Sequence, residues 1–343
     1  MARQFSSRRS VGTVESLEPR TLLSDVIAVG PEFRVNTHTP DRQKVPAIAM
    51  DSDGDFVIAW GSDGQDGSLF GVYAQRYNSA GQPQGNEFRV NSFTTGTQSS
   101  PSIAMDADGG FVVAWNSSNS QDGSGYGVYA QRYNGAGVPQ GSEFRVNTYT
   151  TGDQKSPAVA IDADGDFVIA WQSIDQDGSF WGVYAQRFNA DGVAQAGEFR
   201  VNTFTTSGQE NASVGMSIDG DFVIGWTSGG EQDGSSAGVY AQRYNSVGVP
   251  QGGEFRVNSF TTDAQAHPAI AIHRDGDFVV AWQSSNQAGS SSASDIYAKR
   301  YDAAGIPQGE EFRLNTYSTN SQSLCAIAMD AASYNRTSWM TGI

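Results

Sequence analysis

Lysine is almost missing from this chain: among 343 residues it occurs only at Lys44, Lys155 and Lys299. With a net charge of −16, that scarcity argues against a nucleic-acid partner, because phosphate binding needs clustered Lys and Arg. It also disfavours electrostatic docking on anionic lipid. Cysteine occurs once, at Cys325, so no intramolecular disulfide can form and stability must come from packing. No apolar run approaches the ~20 residues that span a bilayer, so no transmembrane segment is expected. The three histidines, His38, His267 and His273, fall in no common pattern. No P-loop, metal-spaced His pair or Ser-His-Asp order is present, and no cofactor is expected. Helical periodicity is also missing over any useful length.

What is abundant is repetition. "EFRVN" begins at Glu32, Glu87, Glu143, Glu198 and Glu254 and returns as "EFRLN" at Glu311, at spacings of 55, 56, 55, 56 and 57 residues. Each period runs through a Thr/Ser-rich loop, a "PAIAM"-like segment, "DxDGDFVIAW", a "QDGS" loop, "GVYAQRY" and "GxPQG". Four segments per unit read as short strands bounded by turn residues. Phe56–Trp60 is apolar on both faces, as in a doubly buried strand. Ala47–Met50 sets small Ala against Ile and Met. "GVYAQRY" mixes Tyr with Gln and Arg, the pattern of a strand nearer solvent, and "EFRVN" suits a half-exposed outer strand. A four-stranded unit at this period is the mark of a propeller blade. The expected fold is all-β, a β-propeller-like array of four-stranded antiparallel blades, five complete plus an incomplete sixth. The units run about 32–86, 87–142, 143–197, 198–253 and 254–310, with a partial unit at 311–343, behind a disordered head at 1–30. Residues 31–343 form the repeat domain. The last unit has lost its Asp-Gly turn and "GVYAQRY", so the chain is expected to be a truncated or frame-shifted relative of a longer array. The leading Glu32–Asn36 could complete the sixth blade with one strand missing, which leaves ring closure open.

Six tryptophans keep the register: Trp60, Trp115, Trp171, Trp226, Trp282 and Trp339. They are expected to be packing wedges between blades. The carboxylates of Asp51, Asp53 and Asp55 suggest calcium, but the glycine is fourth and no Glu follows, which excludes an EF-hand. Across the copies the first position drifts through Asp51, Asp106, Asp162, Ser217 and His273, and the last includes Gly110, while Asp-Gly persists. That pair is a hairpin turn signal, so no metal is expected there. "QDGS" recurs at Asp66, Asp122, Asp177 and Asp233 and becomes "QAGS" at Ala288. It reads first as a turn, and second as a ring of loops offered to a glycan. The candidate ligand contacts are Asp66, Asp122, Asp177, Trp181 and Asp233. Two arginine series, at Arg34, Arg89, Arg145, Arg200, Arg256, Arg313 and at Arg76, Arg132, Arg187, Arg243, Arg300, are expected to form repeated interstrand salt bridges or to pack by their stems. No catalytic residue is assigned.

Two resemblances add to this. "VESLEPRTLLS" (Val14–Ser24) resembles the Leu-Glu-Pro-Arg-x-Leu-Leu (LEPR-XLL) motif near the N-termini of many planctomycete proteins. It implies an export or surface-sorting role for the head. The unit spanning residues 143–189 is similar to repeats of large bacterial surface and secreted proteins, which implies a non-catalytic propeller-like module. Together they suggest an extracytoplasmic structural or adhesive protein, with surface glycans or extracellular proteins as partners. The alternative is a multivalent lectin, and a divergent glycan-processing enzyme ranks last.

Overall fold

A computed structural model describes residues 32–118, 121–230, 232–289, 294–316 and 320–329. Trp339, the head motif and residues 330–343 of the partial sixth unit lie outside them. The described residues from Arg34 onward form one unit of five four-stranded antiparallel sheets, each made of strands consecutive in sequence. We number these blades one to five in chain order. Their first strands are Gln43–Met50, Gln98–Met105, Gln154–Ile161, Gln209–Met216 and Gln265–Ile272. Their second strands are Phe56–Asp63, Phe111–Ser117, Phe167–Ile174, Phe222–Gly229 and Phe278–Ser285. Third strands are Phe70–Tyr77, Gly127–Tyr133, Trp181–Phe188, Ala237–Tyr244 and Ser294–Tyr301. The first strand of each blade lies against that of the next, so the array is propeller-like, with first strands innermost.

The turn joining first and second strands follows from the Asp-Gly pair. Gly165 sits at φ 84°, a left-handed conformation that glycine adopts without steric cost. Asp162 Oδ1 accepts from the backbone N–H groups of Asp164 and Asp166 at 3.0 and 2.9 Å, and the Asp162 N–H donates to Asp166 O at 2.9 Å. The backbone bonds survive where the first residue changes: the N–H groups of Ser217 and His273 donate to Asp221 O and Asp277 O at 2.8 and 2.7 Å.

Outer strands are only two residues long in four blades, but Ala194–Arg200 has seven. Proline explains the difference. Pro83, Pro139, Pro250 and Pro307 each make a single bridge to a Tyr, because a ring nitrogen has no N–H for the ladder. Ala194 stands in the proline slot of the third blade and pairs with Phe188.

The core lies in the seams between blades. Val57, Ala59, Val72, Ala74 and Val90 of the first blade meet Ile103, Phe111, Val113, Trp115, Tyr129 and Tyr133 of the second. The next seams repeat this scheme of small face against large. Trp115, Trp171, Trp226 and Trp282 are fully buried there, as wedges between blades. The third strand is deeper than its sequence suggests: Val72, Ala74, Gln75 and Tyr77 are all buried. The following blade covers it, and Gln75 Nε2 donates to Arg76 O and Gly85 O at 2.9 and 3.3 Å, so the amide is buried with its bonds made.

Candidate functional site

The "QDGS" loops and the starts of the third strands supply the sequence-derived candidates. In each, the aspartate folds its own turn. Asp66, Asp122, Asp177 and Asp233 accept through Oδ1 from the N–H of Ser68, Ser124, Ser179 and Ser235 at 3.1 to 3.2 Å. The second oxygen of Asp122, Asp177 and Asp233 accepts from the Asn147, Asn202 and Asn258 amides at 3.3, 3.4 and 3.3 Å. Those asparagines end the "EFRVN" motif, and their Oδ1 atoms hold the third strand by the Val128, Val183 and Val239 N–H groups. The carboxylate thus ties the loop to the outer strand.

This geometry explains the glycine opening "GVYAQRY". A Cβ on Gly127 would stand 2.5 Å from Asp122 Oδ2. In the fifth blade the loop aspartate is Ala288 and the glycine is Asp295. Asp295 is 1% exposed, and its Oδ1 accepts from Asn315 Nδ2 at 2.7 Å. The carboxylate has moved along the chain while keeping its partner. Sequence reasoning recorded the change at Ala288 and missed Asp295. The signal was present, because Gly-to-Asp and Asp-to-Ala occur in the same unit. Burial raises the hydroxyl pKa of the adjacent Tyr129 and Tyr184 to about 12, helped by Asp122 and Asp177 respectively.

A second set of repeated groups, unassigned from sequence, bolts the seams. Glu87 accepts from Gln65 Nε2 in its own blade at 2.5 Å and from the Thr37 N–H of the preceding outer segment at 2.6 Å. Glu143, Glu198, Glu254 and Glu311 repeat this with Ser92, Thr148, Thr203 and Ser259. For Glu87 burial works upward, but the bonds from Gln65 and Thr37 outweigh it and the carboxyl pKa is lowered. Among the described residues neither arginine series forms carboxylate pairs, one of the two expectations. The stems of Arg76, Arg132, Arg187 and Arg243 lie against turn glycines of the following blade, which is the other. Arg76 donates to Ala136 O at 2.8 Å, and Arg132, Arg187 and Arg243 likewise reach carbonyls in turns of the following blade. Carbonyls at a tight turn point outward together and accept from a planar guanidinium.

Trp181 is placed differently from the aspartates. It is half-buried beside Phe180, which is 55% exposed, with ring centroids 6.3 Å apart. Lys155 Nζ lies 4.3 Å from the Tyr126 ring centroid and 5.9 Å from that of Trp181. It also meets Asp153 at 2.6 Å. An aromatic and charged patch therefore spans the seam between the second and third blades. The corresponding position of the fourth blade is Ala237, so the patch is not repeated there.

At the Asp-Gly turns the structure brings together no metal-binding set: among the described residues no group of three His, Cys, Asp or Glu is placed to hold an ion. A cavity of about 70 Å³ lies at the seam between the fourth and fifth blades, lined by Ser217, Asp219, Asp221, Arg243 and Asp275 among others. It has room for a few waters and is far below the several hundred Å³ of a small-molecule pocket. No helix of the described residues is long and apolar enough to cross a membrane.

No protein-family model matches the chain, and no curated protein matches it in sequence. Among solved structures it is similar to a protein of unknown function from Dyadobacter fermentans, at 12% identity over 84% of this chain and 87% of that one, with a TM-score of 0.57. It is also similar to a Hadza microbial sialidase, at 13% identity over 84% of this chain and a TM-score of 0.53. The match spans 61% of the sialidase, less than two thirds of its length. At such identity the likeness concerns the fold, an array of propeller-like blades.

Proposed function

We propose that this chain is a non-catalytic, extracytoplasmic repeat module with a structural or adhesive role. One observation carries the reading: the repeated polar side chains serve blade geometry. Loop aspartates bond their own turns and the outer-strand asparagines, glutamates bolt seams, and arginines hold turns of the next blade. The relocation of a carboxylate from position 288 to Asp295 supports it further, since a partner bond is kept while the loop chemistry changes. The resemblance of Val14–Ser24 to a surface-sorting motif supports placement outside the cytoplasm. The test has two arms. Protease treatment of intact cells should remove the chain from its host, and a panel of glycosides should show no turnover. Turnover that disappears when one carboxylate is changed would replace this reading by an enzymatic one.

A lectin-like role is favoured by a separate observation, the patch of Tyr126, Lys155, Phe180 and Trp181. Exposed aromatic faces stack on the apolar faces of sugars, and a nearby charged group fixes orientation. Because the loop aspartates hold the fold, their removal is a poor probe of binding. Trp181→Ala and Phe180→Ala are better ones. Glycan-array signal that is present in the parent chain and lost in both variants would raise this reading above the structural one.

A further inference from the structure

Every seam joins two unlike faces, and among the described residues the first blade presents one of them without its counterpart. The large face carries an aliphatic of the first strand and the Phe, Ile or Val and Trp of the second. At this position Ile103, Val159 and Ile270 are only 7 to 8% exposed, because the preceding blade covers them. Ile48, their equivalent in the first blade, is 59% exposed and Met50 is 57% exposed. Phe56 and Ile58 are half-buried, whereas Phe111 and Val113 are fully buried.

Only the outer rim of the missing neighbour is supplied. Tyr77 Oη donates to Val35 O at 3.2 Å, as Tyr133 does to Val90 O, and the Thr37 N–H reaches Glu87 as the Ser92 N–H reaches Glu143. The leading segment therefore docks as the outer strand of a preceding blade would. Among the described residues, no Ala and Val supply the rest of a small face there.

The other end of the array carries the beginning of such a face. Cys325, Ile327 and Met329 pack on Val279, Ala281 and Ala298 of the fifth blade, as the first strand of a sixth blade would. Ala326 and Ala328, between them, are exposed. Their counterparts Ala47 and Ala49 pack into the first seam against the cluster holding Ile103. One end thus offers uncovered Ile and Met, and the other offers the uncovered alanines that cover these residue types in the first seam.

We infer that Ile48, Met50, Phe56 and Ile58 form an assembly face occupied by the Ala326–Ala328 edge of a second copy of this chain, joined head to tail. The contact extends a seam that the chain already makes four times between its own blades. Such a heterologous contact builds a ring if its rotation closes and a filament if it does not. It rests on seam geometry and not on any ligand. The test uses light scattering and disulfide trapping in a Cys325→Ser background. The parent chain is expected to assemble with rising concentration. Ile48→Asp with Met50→Asp, at exposed positions, is expected to leave it monomeric with an unchanged unfolding midpoint. A mixture of one chain carrying Met50→Cys and another carrying Ala328→Cys should trap mixed dimers on oxidation. A parent chain that stays monomeric at its highest soluble concentration would overturn the inference. So would a trapped dimer of the Met50→Cys chain alone, or a doubly substituted chain that closes only on itself.

Discussion

The loop aspartates Asp122, Asp177 and Asp233 are the clearest case of residues whose role is set by a partner far along the chain. Asp122 contributes one oxygen to its turn and the other to Asn147, and Gly127 leaves the space it occupies. In the fifth blade Asp295 reaches the same asparagine position from the other strand. Asp295→Gly should therefore lower stability by about 1.5–3 kcal/mol, the net worth of the hydrogen bond from the Asn315 amide to a charged group. Adding Ala288→Asp to that variant should recover most of the loss, because the arrangement of the second, third and fourth blades is restored. Urea unfolding of the single and double variants decides it, and absence of recovery would show that the two carboxylates are not equivalent. The sequence displayed both changes, but their link was legible only once the two positions were seen to face one asparagine.

Between elements, the seam has an apolar and a polar part. The apolar part was readable: the alternation of large and small residues in Phe56–Trp60 requires a covered surface on each side, and the recurring Trp fixes which. The polar part was not, because Glu87 and Thr37 are 50 residues apart and nothing local couples them. Glu87 has a pKa below its ordinary value of 4.5. A depressed acid stabilises the fold above the unfolded-state value, and the contribution is lost as pH falls through the lower folded value. Stability of the parent chain should thus fall as pH drops below about 4.5, and the fall should be shallower in Glu87→Gln. Denaturant titrations across that range check the slope. An identical slope in the two proteins would place the acid sensitivity elsewhere.

For the whole molecule, the same seam chemistry repeated along the array predicts a shared alkaline limit. Burial lifts Tyr129 and Tyr184 from 10.0 to about 12, and raises Tyr133, Tyr244 and Tyr301 further. The neutral phenol is favoured in the folded state, so its stabilisation is complete below 10.0 and is lost as pH rises toward 12. Unfolding should set in over that window, with tyrosinate absorbance appearing together with the change in tryptophan fluorescence. Tyrosinate that forms while the fluorescence stays native would contradict it. Calcium tests the Asp-Gly turns at the same scale. Because Asp162 Oδ1 is held by two backbone N–H groups, the thermal midpoint should be the same with calcium and with chelator. A shift of many degrees would reveal a bound ion.

The sequence by itself determined the period, the four strands per unit, the Asp-Gly corners and the buried Trp register. Each depends on local turn chemistry or on alternation along a strand, and both are written in consecutive residues. Tertiary structure decided what the repeated polar residues do. It sent Arg76, Arg132, Arg187 and Arg243 to turn carbonyls of the following blade, buried the third strand, and set Asp295 in the place of the loop aspartate. It also left Ile48 exposed where Ile103, Val159 and Ile270 are buried, and Met50 exposed where Met105, Ile161, Met216 and Ile272 are half-buried. The physical reason is common to all of these. Hydrogen-bond partners and covering surfaces come from a neighbouring blade about one period away, and only packing brings them together.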